Sequence, residues 1–223
     1  MRNSPGLFIT FEGGEGSGKG THTNLLEEYL RSKYVVVVAR DPGTTKIGEE
    51  IRKSLQDLEK PELNPITELL LYEAARAEYT TQLVLPALQQ GKIFISDRFY
   101  DSTTAYQGAL GIPNHLIKIF NEIASFEIIP DLTFLIDIDA KLGLKKLKGH
   151  EFGENLDKIE SRKLEYHERV NQIYRDTAKQ HPRRFRVIPY KNGEIDEMQE
   201  EMKIEVDNFI SEKGLEAFLL KPS

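Results

Sequence analysis

The sequence predicts an α/β fold, a doubly wound sheet of five parallel strands flanked by helices, with a short lid segment. Three observations predict it. Five short runs are rich in β-branched and aromatic residues: Leu7–Phe11, Val35–Ala39, Ile93–Ser96, Leu132–Ile136 and Phe185–Ile188. Most of these runs are apolar on both faces, as strands covered by helices on both sides must be. Stretches of helical period lie between them, and that alternation leads to a parallel sheet.

Taken in order, Leu7–Phe11 runs into a glycine-rich loop, after which Asn24, Leu25, Leu26 and Tyr29 recur at helical spacing. Asn64-Pro65 is a cap and first-turn pair for a helix through Ile66, Leu69 and Leu70 that reaches the region of Pro86, with Gly91 as its stop. Asn114 to Ala124 is apolar-periodic, and Ser161 to Lys179 is a longer, more charged helix. Glu194 to Lys213 carries eight acids against two lysines, with Ile195, Met198, Met202, Val206, Phe209 and Ile210 on one face. Residues 141–160 stand apart. Lys141, Lys145, Lys146 and Lys148 precede Gly149 and Gly153, which looks like a mobile basic lid, while the charge pattern alone favours a solvated helix followed by a loop.

The 223 residues suit one domain spanning 1–223, long enough to bury a core without staples. Lys and Arg total 30 against 36 Asp and Glu, a formal charge of −6, so a nucleic-acid-coating role is not expected. With no cysteine, disulfide scaffolds, Cys-ligated zinc, iron–sulfur clusters and thiol nucleophiles are excluded. No apolar run approaches the ~20 residues of a membrane span, and the start does not read as a signal peptide, so a cytoplasmic location is expected.

The chemistry begins at Gly13-Gly14-Glu15-Gly16-Ser17-Gly18-Lys19-Gly20-Thr21. Strand, glycine loop and helix in this order form the context of a phosphate-binding loop, in which backbone N–H groups and a helix start converge on phosphate oxygens. Lys19 is then expected on the β- and γ-phosphates of a nucleoside triphosphate. The hydroxyl that usually follows this lysine to ligate Mg²⁺ is replaced by Gly20, with Thr21 one place later. After the third strand comes Asp97-Arg98-Phe99, a carboxylate and a guanidinium at the sheet edge where α/β folds place ligands. Asp97 suits Mg²⁺ held through water, and Arg98 suits the charge shared between two phosphoryl groups. Neither Asp-x-x-Gly nor Asn-Lys-x-Asp occurs, so a switch GTPase is not indicated. The five histidines lack metal-ligand spacing, and His22 reads as a local contact.

Four stretches in order resemble thymidylate kinases, of the nucleoside monophosphate kinase group. They are Gly13–Thr21, Arg40-Asp41-Pro42-Gly43-Thr44 with Gly48-Glu49-Glu50-Ile51-Arg52, Thr67 to Arg76, and Asp97 to Gly108. The resemblance implies transfer of the γ-phosphoryl of ATP to dTMP, with Mg²⁺ as cofactor and a homodimer as the assembly. It also assigns roles. Tyr72 takes the place of an aromatic ring stacked on thymine, and Arg76, one helical turn on, that of an arginine bonding a base carbonyl. Thr103 and Gln107 line the other side of the base, and Tyr106 crowds the ribose 2′ position. Glu15 contacts the sugar 3′-hydroxyl, Arg40, Arg52 and Arg98 gather charge around the monophosphate, and Asp41 with Arg40 helps fix the acceptor and its metal-linked waters. In the lid, Lys158 stands at an arginine position, with the clamp on ATP weaker or shared with Arg162. By residue pattern alone Tyr72 also fits a core stripe with Leu69, Ala75 and Tyr79, and Arg52 a surface pair with Glu49. Another nucleoside monophosphate as acceptor, or a weakened nucleotide-binding scaffold, are the alternative readings.

Overall fold

The structure is a computed structural model, and it describes residues 5–57, 59, 61–148 and 157–222. Strand β1 (Leu7–Gly13) is buried along its whole length because it has a strand on each side. It pairs in parallel with β3 (Ile93–Asp97) and with β4 (Leu132–Asp137). Outside these lie β2 (Val36–Arg40) and β5 (Phe185–Pro189), giving the order β2-β3-β1-β4-β5. All five predicted strands are present, each within one or two residues of its expected ends.

The faces of β1 serve different helices, as a pleat requires. Leu7, Ile9 and Phe11 pack with Leu26 and Leu30 of α1 (Lys19–Arg31) and with Met198, Met202, Val206 and Ile210 of α9 (Ile195–Glu212). On the opposite face Phe8 packs with Tyr79, Val84, Leu88, Phe94 and Phe99. There Thr10 and Thr133 satisfy each other's hydroxyls at 2.8 Å.

Helix α3 (Pro65–Tyr79) starts as expected, with Asn64 Oδ1 accepting from the Ile66 N–H at 2.9 Å. It does not run unbroken to Pro86. Residues Thr80–Val84 form one π-helical turn before α4 (Leu85–Gln89). Pro86 has no N–H for the carbonyl of Gln82 and its ring crowds that carbonyl, so the preceding turn widens. Two helices had no clear signal in the sequence. Helix α2 (Lys46–Gln56) is capped by Thr45, whose Oγ1 accepts from the Gly48 N–H at 3.1 Å. Helix α5 (Tyr100–Ala109) buries Asp101, Ser102, Thr103 and Gln107 as well as its apolar residues, so it shows no polar face to read. Helix α6 (Asn114–Ala124) has the predicted bounds, and α8 (Leu164–Gln180) begins three residues late.

The expected lid divides. Its first part is helix α7 (Ala140–Lys148), the solvated-helix alternative, and residues 157–163 form turns leading into α8. Residues 149–156, with Gly149, Gly153 and Asn155, lie outside the described residues. Among the described residues no helix is long and apolar enough to cross a membrane.

Candidate active site

At one edge of the sheet β1 ends in Gly13, β2 in Arg40 and β3 in Asp97, with Arg40 and Asp97 paired across the ladder. They open into a cleft of about 670 Å³, at the carboxyl ends of the strands.

The glycine loop wraps one side of this cleft. Gly16 and Gly18 adopt φ of +68° and +87°, left-handed values that favour glycine. A Cβ on Gly16 would lie 2.2 Å from the carbonyl oxygen of Gly143 in α7, and one on Gly143 2.1 Å from that of Glu15. Loop and α7 therefore meet backbone to backbone. Lys19 folds back over the loop, its Nζ 3.0 Å from the carbonyls of Gly13 and Gly14 and 3.3 Å from Ser17 Oγ. Burial, with the charge of Arg98, brings the Lys19 pKa down to about 8.

Arg98 leaves β3 with φ +72°, a conformation that costs a non-glycine residue about 1–3 kcal/mol. Its neighbours over-determine the turn. Its N–H donates to Phe11 O at 3.0 Å, its carbonyl accepts from Ser96 Oγ at 2.5 Å, and the next N–H, of Phe99, donates to buried Glu12 at 2.8 Å. The guanidinium meets Glu15 Oε1 at 2.8 Å and lies 5.0 Å from the Tyr106 ring centroid. Tyr106 donates its hydroxyl to the same Glu15 oxygen. Burial alone would raise the Glu15 pKa, but Arg98 and Lys19 outweigh it and hold it at about 2. Glu15 is thus a fixed anion between two cations.

For Mg²⁺ the test is whether residues lining the cleft carry unsatisfied carboxylate oxygens. Asp97 Oδ1 and Asp41 Oδ1 are buried without a hydrogen-bond partner, and both residues line it. Mg²⁺ typically uses one or two carboxylates with substrate phosphates and waters, so these residues fit it. An ideal Cβ at Gly20 would stand 3.9 Å from Asp97 Oδ2, so the missing loop hydroxyl belongs beside that carboxylate.

On the acceptor side Arg76 departs from its expected setting. It is 1% exposed, clamped by Asp41 (Nε–Oδ2 2.6 Å), Glu73 (Nη1–Oε1 2.6 Å) and Thr103 (Nη1–Oγ1 2.7 Å). Burial opposes its charge, but Asp41 and Glu73 more than compensate and raise its pKa. A buried arginine needs such partners. Asp41, expected to work on the acceptor's waters, is first of all one of these clamps. Arg76 Nη2 reaches only Phe99 O, at 3.5 Å, and is the donor least committed within the protein. Tyr72, Thr103, Tyr106 and Gln107 line the same cleft, so Tyr72 faces it while also edging a core cluster. Arg40 and Arg52 stand together there. Burial, then the charge of Arg40, pushes the Arg52 pKa down, and its pair with Glu49 is a loose 3.9 Å. Two crowded cations with weak acid support make a seat for a dianion.

Two expected residues lie elsewhere. Lys158 donates from Nζ to the Pro61 carbonyl at 2.6 Å, outside the cleft lining. Arg162 is held by Glu68, Nη2–Oε2 2.6 Å, so it takes no share of an ATP clamp in this arrangement. At the far end, Lys146 and Tyr190 bond at 2.5 Å beside Asn192 and Ile195, residues with no motif to announce them. His22, expected to make a local contact, instead bonds Gln199 Oε1 at 2.9 Å, 177 residues away, and lines the cleft.

A cleft that brings Lys19 and Arg98 together with Arg40 and Arg52 suits phosphoryl transfer between nucleotides, and on this sheet it fits a nucleoside monophosphate kinase of the P-loop type. The comparisons narrow the class. A thymidylate kinase family model matches residues 11–202. A thymidylate kinase of Pelobacter propionicus is 41% identical over 206 residues, 90% of this chain and 94% of that one. Another, of Protochlamydia amoebophila, is 44% identical over 187 residues, 81% of this chain and 83% of its own. The crystal structure of thymidylate kinase from Ehrlichia chaffeensis superposes with a TM-score of 0.73 at 34% identity, covering 90% of this chain and 98% of that one. The chain belongs to the thymidylate kinase family.

Proposed function

We propose that the chain transfers the γ-phosphoryl group of ATP to dTMP, giving dTDP and ADP. The observation that carries this reading is Arg98, held between the loop that seats Lys19 and the end of the cleft that holds Arg40, Arg52 and Tyr72. An acceptor oxygen on dTMP forms a bond to the γ-phosphorus as the bond to the β,γ-bridging oxygen breaks, and the electron pair leaves with ADP. The acceptor's second phosphate pKa is about 6, so it arrives mostly as a dianion and needs no general base. What the site supplies is alignment and positive charge. Lys19 holds the β,γ end, and Arg98 bridges donor and acceptor. Arg40 and Arg52 hold the acceptor phosphate, while Tyr72 covers the base and Arg76 Nη2 reaches its edge. Asp97 and Asp41 would hold Mg²⁺, which would supply neutralisation of phosphate charge.

The test is ATP turnover against dTMP, dUMP, AMP, GMP, CMP and UMP. Preference for dTMP supports the reading. Preference for another acceptor moves the family's chemistry to that nucleotide, and transfer to none leaves a nucleotide-binding scaffold. The homodimer belongs to the same proposal. It is supported by Ile66 and Leu70 on α3 and Ile119 and Ile123 on α6, all exposed apolar residues, and sedimentation equilibrium measures it.

A further inference from the structure

Gln107 of α5 lines the acceptor end of the cleft, and its amide nitrogen donates to Glu68 Oε1 at 2.9 Å. Glu68, on α3, is 4% exposed. It receives Arg162 as a fork, Nη2–Oε2 at 2.6 Å and Nη1–Oε1 at 3.3 Å. Arg162 is itself steadied by Tyr166, whose hydroxyl it meets at 2.8 Å. A carboxylate only accepts hydrogen bonds and a guanidinium only donates them. Both Glu68 oxygens accept from the Arg162 guanidinium, and Oε1 also takes the Gln107 amide nitrogen, which is thereby turned inward. The amide's other end, the carbonyl oxygen, is then the one left for a ligand. None of these three groups contacts the phosphate loop or Arg98, so the chain of bonds serves no evident part of phosphoryl transfer.

From this geometry we infer that Glu68 and Arg162 are positioning residues that set the polarity of the Gln107 amide, so that the cleft accepts a pyrimidine bearing a ring N–H and disfavours one whose ring nitrogen is a bare acceptor. The inference rests on the reading of this cleft as a pyrimidine monophosphate seat. Thymine carries an N–H at N3, which the Gln107 oxygen accepts. Cytosine has a lone pair there, and two acceptors face each other without a proton.

The decisive variant is Glu68→Gln. Arg162 Nη2 requires an oxygen at the Oε2 position, so the new amide nitrogen comes to face Gln107. Gln107 then turns over, gives its oxygen to that nitrogen, and presents its own NH₂ to the cleft. The ratio of kcat/KM for dTMP over dCMP should fall by about tenfold or more, the scale of one hydrogen bond gained or lost. The KM for ATP should stay within about twofold. In a Gln107→Met background the same substitution should leave the ratio unchanged, since the coupling partner is gone. A folded Glu68→Gln chain with an unaltered ratio overturns the inference, as does an equal change in the Gln107→Met background. Should the variant not fold, the unmodified protein still decides. N3-methyl-dTMP should bind about tenfold or more weakly than dTMP, and equal binding overturns the inference. An unmodified enzyme inactive on dTMP would instead refute the proposed function, which keeps the two failures apart.

Discussion

Glu12 offers a prediction that can be worked to a number. It lies in β1, wholly buried, directly behind the Arg98 turn. Its Oε1 accepts from the Phe99 N–H at 2.8 Å. Its Oε2 lies 2.6 Å from Ser102 Oγ and 2.9 Å from the Tyr174 hydroxyl, which are 2.8 Å from each other. Three oxygens thus make three contacts, yet two hydroxyl protons serve only two of them. A proton on the carboxyl supplies the third. Burial, then the charge of Asp101, raises the Glu12 pKa from 4.5 to about 7, against the opposing pull of Ser102, Arg98 and Tyr174. The folded protein therefore binds this proton more tightly than the unfolded chain. Between pH 4.5 and about 7 the native state holds more protons, so stability falls as pH rises through that window. At about 1.4 kcal/mol per pH unit, the whole window amounts to about 3 kcal/mol. Glu12→Gln mimics the protonated acid, since its oxygen keeps the Phe99 N–H and its NH₂ donates to Ser102 and Tyr174. Urea unfolding of both chains at pH 4.5, 5.5, 6.5 and 8 gives the difference directly. The variant should gain about 3 kcal/mol on the parent across that range and level off above pH 7.5. Parallel stability curves would refute the shared-proton account of this cluster.

Three further outcomes follow from the site. Arg76→Met leaves Asp41 and Glu73 buried without their cation, so it should cost about 3–5 kcal/mol of stability by thermal denaturation as well as raise the KM for dTMP; an unchanged melting temperature would show that the clamp carries no weight. Gly20→Ser has room for its Cβ and sets a hydroxyl beside Asp97. It should lower the Mg²⁺ concentration for half-maximal activity several-fold and add about 0.5 kcal/mol of helix stability, whereas an unchanged Mg²⁺ titration would place the metal elsewhere. Gly143→Ala drives a Cβ against the Glu15 carbonyl, so it should raise the KM for ATP far more than that for dTMP, and normal ATP kinetics would deny α7 a part in the donor seat.

Most of the sheet could be read from local pattern, because a strand covered on both faces has to be apolar at successive positions, as Leu7–Phe11 and Leu132–Ile136 are. The glycine loop was legible for a similar reason. Its left-handed turns and close approach to α7 are demands on single residues, met by Gly16 and Gly18 where they stand. Asp97 and Arg98 are neighbours in sequence, so their joint arrival at the sheet edge needed no knowledge of distant chain. Helix α5 was not legible, since burial of Asp101, Ser102 and Gln107 erased the polar face by which a helix is recognised.

Strands, phosphate loop and the kind of residues gathered near it can be read from the chain alone, because each depends on spacing over a few positions. Which charges answer which is set by packing. Lys158 turns to Pro61 and Arg162 to Glu68, 94 residues away, while Glu12 meets Tyr174 across 162 residues. A charge written in sequence states what a side chain needs, and in a low-dielectric interior the partner that meets the need is whichever the packing brings within 3 Å.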